Sequence, residues 1–455
     1  MAIHRSKKGL ELPILGNPVQ EIEQAPAPRY SAILAADSVG LRPTMHVEKG
    51  DDVRLGQLIF EDKKNKGVRY TSPASGKVVA VNRGDRRALR SVVIELSREE
   101  RERRETSIRF RSFTGRHPSG LTQDDTRDLL IESGLWVSLR TRPFGRVADP
   151  SVMPKSIFVT AMDSHPHAPS LDVVITESDA FDRGLAVLCR LTDGAVFVCT
   201  RKGSLINVPD NKQVHHEEFE GPHPSGTVGF HIHTLDPVDR SKKIWHVGAQ
   251  DVVAIGKLFS SGSLDVSRVV SIAGSPIRRP RLLRTRIGAA VEDLLKEEVD
   301  DCEARFISGS VLSGRRADGS VYGYLGRYHQ QISVLAEDRE REFLGWLGPG
   351  LRKFSTIRTF LSSWIPQRRF SMTSSMNGSP RAIVPIGMFE RVMPFDLMVT
   401  PLMRALAMQD IERAEELGCL ELVEEDISLC SFVCVGKNDY GSRLRDVLDV
   451  IEQEG

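Results

Sequence analysis

Ser133-Gly134-Leu135-Trp136-Val137-Ser138-Leu139-Arg140-Thr141-Arg142-Pro143-Phe144-Gly145-Arg146 is the stretch whose residue types and spacing come nearest to chemistry. It follows a short amphipathic helix and stands where a nucleotide-binding domain places its phosphate loop, the turn whose backbone amides meet a pyrophosphate. That approach needs glycines. Trp136, Leu139, Arg140, Arg142 and Phe144 stand in their place, so the stretch offers an apolar, arginine-edged surface instead of a flavin or nucleotide cradle.

Other clusters invite chemical readings. Gly221-Pro222-His223-Pro224-Ser225-Gly226 is followed by His231-Ile232-His233, with His215, His216 and His246 nearby. On a strand, His231 and His233 face one side, which a metal could use. No HExxH helix or cysteine pair accompanies them, so the expectation is hydrogen-bonded histidines beside a rigid proline turn, and no metal. Cys419, Cys430 and Cys434 lack the run that brings four ligands to an iron-sulfur centre. The segment from Ala161 to Pro169 follows a strand, where α/β folds open ligand crevices, and fits a plain rigid connection equally well. Arg278, Arg279, Arg281, Arg284 and Arg286 could grip an acidic partner or lipid headgroups, although a solvated face is the commoner outcome. No catalytic residue is expected.

Positioning the opening stretch falls to a helix started by Thr122, whose capping-box partner is Asp125, and closed by Gly134. Beyond it Ser156 to Ala161, Phe181 to Leu191 and Ala195 to Thr200 read as strand, helix and strand. With Asp251 to Phe259 they predict a three-layer α/β domain with parallel pairing. Upstream, Tyr30 to Leu96 alternates apolar stretches with the Gly50 and Gly56 turns, Val47, Val53, Leu58 and Phe60 pointing inward. This resembles the sandwich barrel of biotinyl and lipoyl carrier domains. Lys63, Lys64 and Lys66 between Asp62 and Tyr70 lack a carrier motif, so no covalently bound group is expected there, only a solvated basic hairpin.

Downstream, a strand from Arg268 to Ala273 is followed by a helix beginning at Thr285, with Ile287, Val291, Leu294 and Leu295 on one stripe. A returning strand at Arg305 to Leu312 completes a small α+β module, and Gln331 to Ala336 with Arg341 to Leu347 reads as a hairpin. From Phe395 the pattern is helical, with Met398, Leu402, Leu406 and Ile411 forming an apolar face that Met403 and Met408 widen.

At 455 residues the chain exceeds one hydrophobic core, and 40% apolar against 27% charged residues describes ordinary globular modules. The 62 basic and 61 acidic residues cancel, so no net field directs the chain to nucleic acid, which is not expected as a partner. Six scattered cysteines and the absence of a leader-like start lead to the expectation of a reducing cytoplasm. No uncharged apolar run is long enough to span a bilayer, so another chain would hold this one at a membrane.

Several segments together carry a resemblance. Lys7-Lys8-Gly9-Leu10-Glu11-Leu12-Pro13-Ile14, Ser133-Gly134-Leu135-Trp136 with Arg140-Thr141-Arg142-Pro143, Gly221-Pro222-His223-Pro224, His231-Ile232-His233 and Trp245-His246-Val247-Gly248 form the first group. Ile307-Ser308-Gly309-Ser310-Val311-Leu312-Ser313-Gly314, Tyr324-Leu325-Gly326-Arg327 and Ser333-Val334-Leu335-Ala336-Glu337 form the second. The chain resembles, nearly from end to end, the A-subunit family of bacterial sodium-translocating NADH:quinone oxidoreductases. That family is similar in architecture to the NADH- and flavin-binding subunit of respiratory complex I.

The resemblance implies a multidomain α/β and α+β fold. A sandwich-hybrid, biotinyl/lipoyl-like barrel would occupy 1–104, a Rossmann-like domain 105–262, a β-grasp-like module 263–350 and a C-terminal helical domain 351–455. It also implies a peripheral subunit on the cytoplasmic face of the bacterial inner membrane, docked to membrane-embedded subunits of a complex that oxidises NADH, reduces ubiquinone and exports sodium. NADH, the flavins and the iron-sulfur centre would lie in other subunits, with Cys430 to Lys437 a remnant of a cluster motif. Ubiquinone is the ligand implied for this chain. A quinone needs an apolar slot and a donor for each carbonyl. Trp136, Leu139 and Phe144 could wall it, Arg140 or Arg142 supply charge, and Val39, Gly40 and Leu41 contribute from the barrel. The alternatives are a purely structural docking subunit with the quinone site in a neighbour, and a free-standing flavin-dependent NADH dehydrogenase.

Overall fold

Strand-and-helix alternation in the middle of the chain builds a six-stranded sheet in a computed structural model that describes residues 2–102, 104, 107–339 and 347–454. Its order is Ala2–Arg5, Val214–Glu220, Val196–Arg201, Ile157–Ala161, Ile244–Gly248, Arg140–Arg142. The first five strands are parallel and the last is antiparallel. Period-two alternation assigns the faces. Ile157, Val159, Ala161, Val196 and Val198 enter one core with the helices Ser178–Leu188 and Ala249–Ser261, while Phe158 and Cys199 enter the other. Those two helices cross where Gly184 and Gly256 lie, and a Cβ at Gly256 would stand 1.8 Å from the Ala180 carbonyl oxygen. Only glycine permits that approach.

The second face is covered by the C-terminal helices Val399–Met408, Ser428–Val433 and Tyr440–Glu454, whose Leu402, Met403, Leu406, Leu444 and Leu448 share a core with Phe158 and Phe219. Met408 turns outward instead and is 79% exposed, because the helix ends there. Three layers result.

The barrel-sandwich hybrid pairs a sheet ordered Tyr30–Leu34, Leu89–Leu96, Gly76–Arg83, Asp52–Val53 with a smaller one ordered Pro43–Met45, Leu58–Asp62, Arg69–Thr71. Its core runs into that of the α/β layer, since Phe60 and Val92 cluster with Trp136 and Ile157. A further six-stranded sheet runs Arg315–Arg316, Ala304–Ser308, Gln331–Ala336, Ser267–Ala273, Arg281–Arg286, Val19–Gln24. Ala2–Arg5 and Val19–Gln24 thus leave the N-terminal barrel's sequence neighbourhood and pair as edge strands of the other two sheets.

Several local expectations need correction. Thr285 lies in the Arg281–Arg286 strand, whose partner Ser267–Ala273 claims its backbone, and the helix is confined to Val291–Leu295. The returning strand is Ala304–Ser308 and stops where Gly309 adopts φ 98°. Gln331–Ala336 pairs with Ala304–Ser308 and Ser267–Ala273. The hairpin's second strand, expected at 341–347, falls almost wholly outside the described residues. His231 and His233 sit on the helix Val228–Leu235, where two residues apart means opposite faces. The capping box of Thr122 and Asp125 and the left-handed Gly134 closing Gln123–Ser133 are present.

Candidate functional site

The Ser133–Arg146 stretch does not lead from a strand into a helix. It makes a tight turn over Leu135–Ser138, with all four residues buried, and then becomes the edge strand Arg140–Arg142. A turn of that kind aims no row of helix amides at a ligand. Its alternation decides the fate of each expected residue. Trp136 and Leu139 go into the shared core, with Trp136 edge-on to Trp245 at 5.4 Å and its Nε1–H donating to the Ala148 carbonyl at 2.8 Å. Arg142, 1% exposed, donates to Asp426 at 2.8 Å and to the Glu421 carbonyl at 3.0 Å. Arg140 stacks over Tyr328, 4.1 Å from the ring centroid, in a different cavity. Leu41 packs on the barrel core.

Val39, Gly40 and Phe144 are brought together. They line a cavity of about 540 Å³ where the barrel, the edge strand and the last helix meet, along with Tyr70, Trp245 and Ile451. Arg146 and Lys243 supply cationic groups at its wall. Gly40 has φ 74°, and a Cβ there would collide with the Arg146 guanidinium, so glycine lets that side chain cross the barrel edge. Arg146 then reaches Glu452 at 2.6 Å and Asp449 at 3.2 Å on Tyr440–Glu454. Phe144 is held with φ 76°, its carbonyl accepting from Arg445 at 2.7 Å. Trp245 contributes an Nε1–H that is buried and has no hydrogen-bond partner among the described residues. Burial also raises the Tyr70 phenol well above its ordinary value, which keeps it protonated. Phe144 and Trp245, inside a rim of Lys64, Arg146, Arg240 and Lys243 with Asp62, Asp149 and Glu452, suit a flat ring with polar edges.

Sequence reasoning missed Trp245, Lys243, Tyr70 and Ile451, which come from three separated segments. Trp245 and Arg146 are visible in the sequence only as parts of motifs, and no spacing ties either to Val39.

The histidines are engaged within the protein. His231 is buried, contacts Phe219 at 4.2 Å between ring centroids, and has its Nε2 3.1 Å from the Ser225 carbonyl; burial lowers it to about 3. His233 has its Nδ1 2.6 Å from Glu421 and accepts from the Asp396 amide at 2.9 Å. Among the described residues no group of three or more His, Cys, Asp or Glu could hold a metal ion. Cys419, Cys430 and Cys434 are buried in the helical layer. The arginine-rich segment is divided: Arg278 and Arg279 lie on a solvated face, holding Asp300 and Glu23, whereas Arg281, on Glu23 and Glu298, and Arg286, on Glu100, are largely covered. No described helix is long and apolar enough to cross a membrane.

Three family descriptions match successive parts of the chain. They are the NqrA N-terminal barrel-sandwich hybrid domain over 4–97, the NqrA second alpha/beta domain over 121–264 and the NQRA C-terminal domain over 269–319. Full-length relatives are similar throughout. The A subunit of the Na(+)-translocating NADH-quinone reductase of Yersinia pseudotuberculosis serotype I (strain IP32953) is 50% identical over 450 residues, 99% of both chains. Its namesakes in Hahella chejuensis (strain KCTC 2396) and Marinomonas sp. (strain MWYL1) are 49% identical, over 99% of both chains, and 48% identical, over 100% of both.

Proposed function

This chain belongs to the A-subunit (NqrA) family of the Na(+)-translocating NADH-quinone reductases, and from that premise we propose that it is a quinone-associated docking subunit. It works on the cytoplasmic face of the bacterial inner membrane, bound to membrane-embedded subunits of a complex that oxidises NADH, reduces ubiquinone and exports sodium. NADH, the flavins and the iron-sulfur centre belong to neighbouring subunits; this chain carries no redox group and is not catalytic alone. We also retain the division into 1–104, 105–262, 263–350 and 351–455, with the first two strands lent to other sheets.

The observation that carries the quinone assignment is the cavity to which Val39, Gly40, Phe144 and Trp245 give an apolar side within a charged rim, the buried Trp245 Nε1–H being without a partner among the described residues. A quinone carbonyl accepts a hydrogen bond from such a donor, and Lys243 or Arg146 would favour the charge that develops on reduction. Trp136 backs the slot through Trp245, whereas Leu139, Arg140, Arg142 and Leu41 are placed elsewhere. Docking is supported by the segment around Leu361, Trp364 and Ile365, which are 53%, 77% and 43% exposed, with Arg358 and Arg368 flanking them in the sequence.

A purely structural role, with the quinone in a neighbour, is favoured by one fact: Arg142 and Arg146 are both committed to internal ion pairs. Phe144→Ala together with Lys243→Gln in the assembled complex separates the readings. The quinone slot requires the Michaelis constant for ubiquinone to rise about tenfold, since an aromatic contact and a donor contribute roughly 1.5 kcal/mol together. NADH oxidation with an artificial acceptor should stay unchanged. An intact complex with an unaltered constant would establish the structural role.

A further inference from the structure

A second cavity, of about 120 Å³, lies at the carboxyl ends of Ile157–Ala161 and Ile244–Gly248, lined by Thr160, Met162 and Asp163 on one side and Gly248, Gln250 and Asp251 on the other. These neighbouring strands are where the sheet changes direction. From Ile157–Ala161 the chain builds outward through Val196–Arg201 and Val214–Glu220, then returns to the opposite side as Ile244–Gly248. Open α/β sheets place their ligands at such a point.

Two helices begin at the cavity. Gly226, Thr227 and Val228 bring the start of Val228–Leu235 to it, and Gly248 and Gln250 bring the start of Ala249–Ser261. Neither helix has a side-chain cap hydrogen bond at its N-terminus. Each presents first-turn amides to the cavity with one carboxylate already beside it, Asp426 against Gly229 in the first and Asp251 within the first turn of the second.

Three arginines from different elements converge on the same space. Arg268 and Arg327 bind Asp251, the latter at 2.8 Å, and no carboxylate pairs with Arg140 among the described residues. Arg140 Nε and Arg327 Nη1 are buried and have no hydrogen-bond partner among the described residues. His165 lies 2.8 Å from Asp163 and 3.2 Å from Glu425; burial opposes its charge, but the two carboxylates raise it to about 9 and keep it cationic at neutral pH. Counting the Arg142–Asp426 pair, the four arginines Arg140, Arg142, Arg268 and Arg327 match the four carboxylates Asp163, Asp251, Glu425 and Asp426, and a protonated His165 adds one positive charge. A buried excess of positive charge with unsatisfied N–H groups calls for an anion.

We propose that this cavity binds a small oxyanion of the phosphate class, held by Arg140, Arg327 and the first-turn amides of the two helices. Planar guanidinium forks and helix starts are the usual partners of phosphate oxygens. A dinucleotide is excluded by volume and by Asp251, which already occupies part of one helix end. The site is separate from the quinone cavity and stands or falls without it.

The test is calorimetric titration of the purified full chain with inorganic phosphate at constant ionic strength, with chloride as the control ion. One saturable phosphate site is expected, accompanied by a higher unfolding temperature in phosphate than in chloride. Arg140→Gln should weaken binding about tenfold or more, because a charge-assisted hydrogen bond is lost. Arg146→Gln, in the other cavity, should leave it unchanged. Displacement of phosphate by AMP would assign the site to a phosphate monoester, and failure of AMP to compete would assign it to the free ion. Absence of saturable binding to the unmodified chain, or equal affinity in Arg140→Gln, would overturn the proposal.

Discussion

Replacing Trp136 by alanine is expected to destabilise the protein by about 3–5 kcal/mol, the cost of deleting a large buried aromatic side chain. Trp136 has no exposed surface, lies edge-on to Trp245 and donates to the Ala148 carbonyl. It sits where the barrel core and the α/β core merge, so the vacated volume borders Leu135, Leu139 and Trp245 and has few ways to collapse. Trp136→Phe keeps much of the volume and loses the hydrogen bond, so it should cost only part of that amount. Urea unfolding followed by circular dichroism measures both. A loss below about 1 kcal/mol for the alanine variant would mean that Trp136 is exposed in solution, as a wall of an open slot would be.

Asp426→Ala is expected to cost a similar amount, about 3–5 kcal/mol, for an electrostatic reason. Arg142 and Asp426 are almost wholly buried and 2.8 Å apart. Removing the carboxylate leaves a guanidinium charge without a counterion in a low-dielectric interior. It also strips the Val423 amide of its acceptor. Arg142→Leu with Asp426→Leu removes both charges and should be less damaging than Asp426→Ala, since replacing a buried ion pair by apolar side chains is often close to neutral. Because the pair ties the Arg140–Arg142 strand to the C-terminal helices, denaturation should be accompanied by earlier proteolysis within residues 388–454. If Asp426→Ala and the double variant are equally mild, the pair is solvated and contributes nothing to that junction.

Much of the architecture could be read locally. Parallel pairing followed from the alternation of Ser156–Ala161 and Ala195–Thr200 with helical Phe181–Leu191, and Thr122 with Asp125 marked a helix start by a hydrogen-bond pattern contained in four residues. Elements whose type depends on distant pairing were less legible. Thr285 sits in a segment with a helical stripe, yet Ser267–Ala273 offers a continuous antiparallel ladder that overrides it. His231 and His233 alternate like a strand, but the helix buries His231 against Phe219.

The candidate site shows the same division. Phe144 could be named as an aromatic residue standing where loop glycines are expected, and Val39 only through the resemblance, whereas Arg140 and Arg142 are grouped by sequence and separated by folding. Their distant partners settle that separation: an ion pair with Asp426 draws Arg142 under the C-terminal layer, and a cation–π contact with the Tyr328 ring draws Arg140 to the switch point of the sheet. Nothing near Arg142 in the sequence identifies a partner nearly three hundred positions away.

The most direct measurement is calorimetric titration of the purified chain with short-tailed ubiquinone-1. One saturable site is expected, weakened about tenfold by Phe144→Ala and unaffected by Arg140→Gln, in accord with a ring held between Val39, Phe144 and Trp245. Absence of saturable binding, or binding that Phe144→Ala leaves unchanged, would contradict the assignment of the quinone to this cavity.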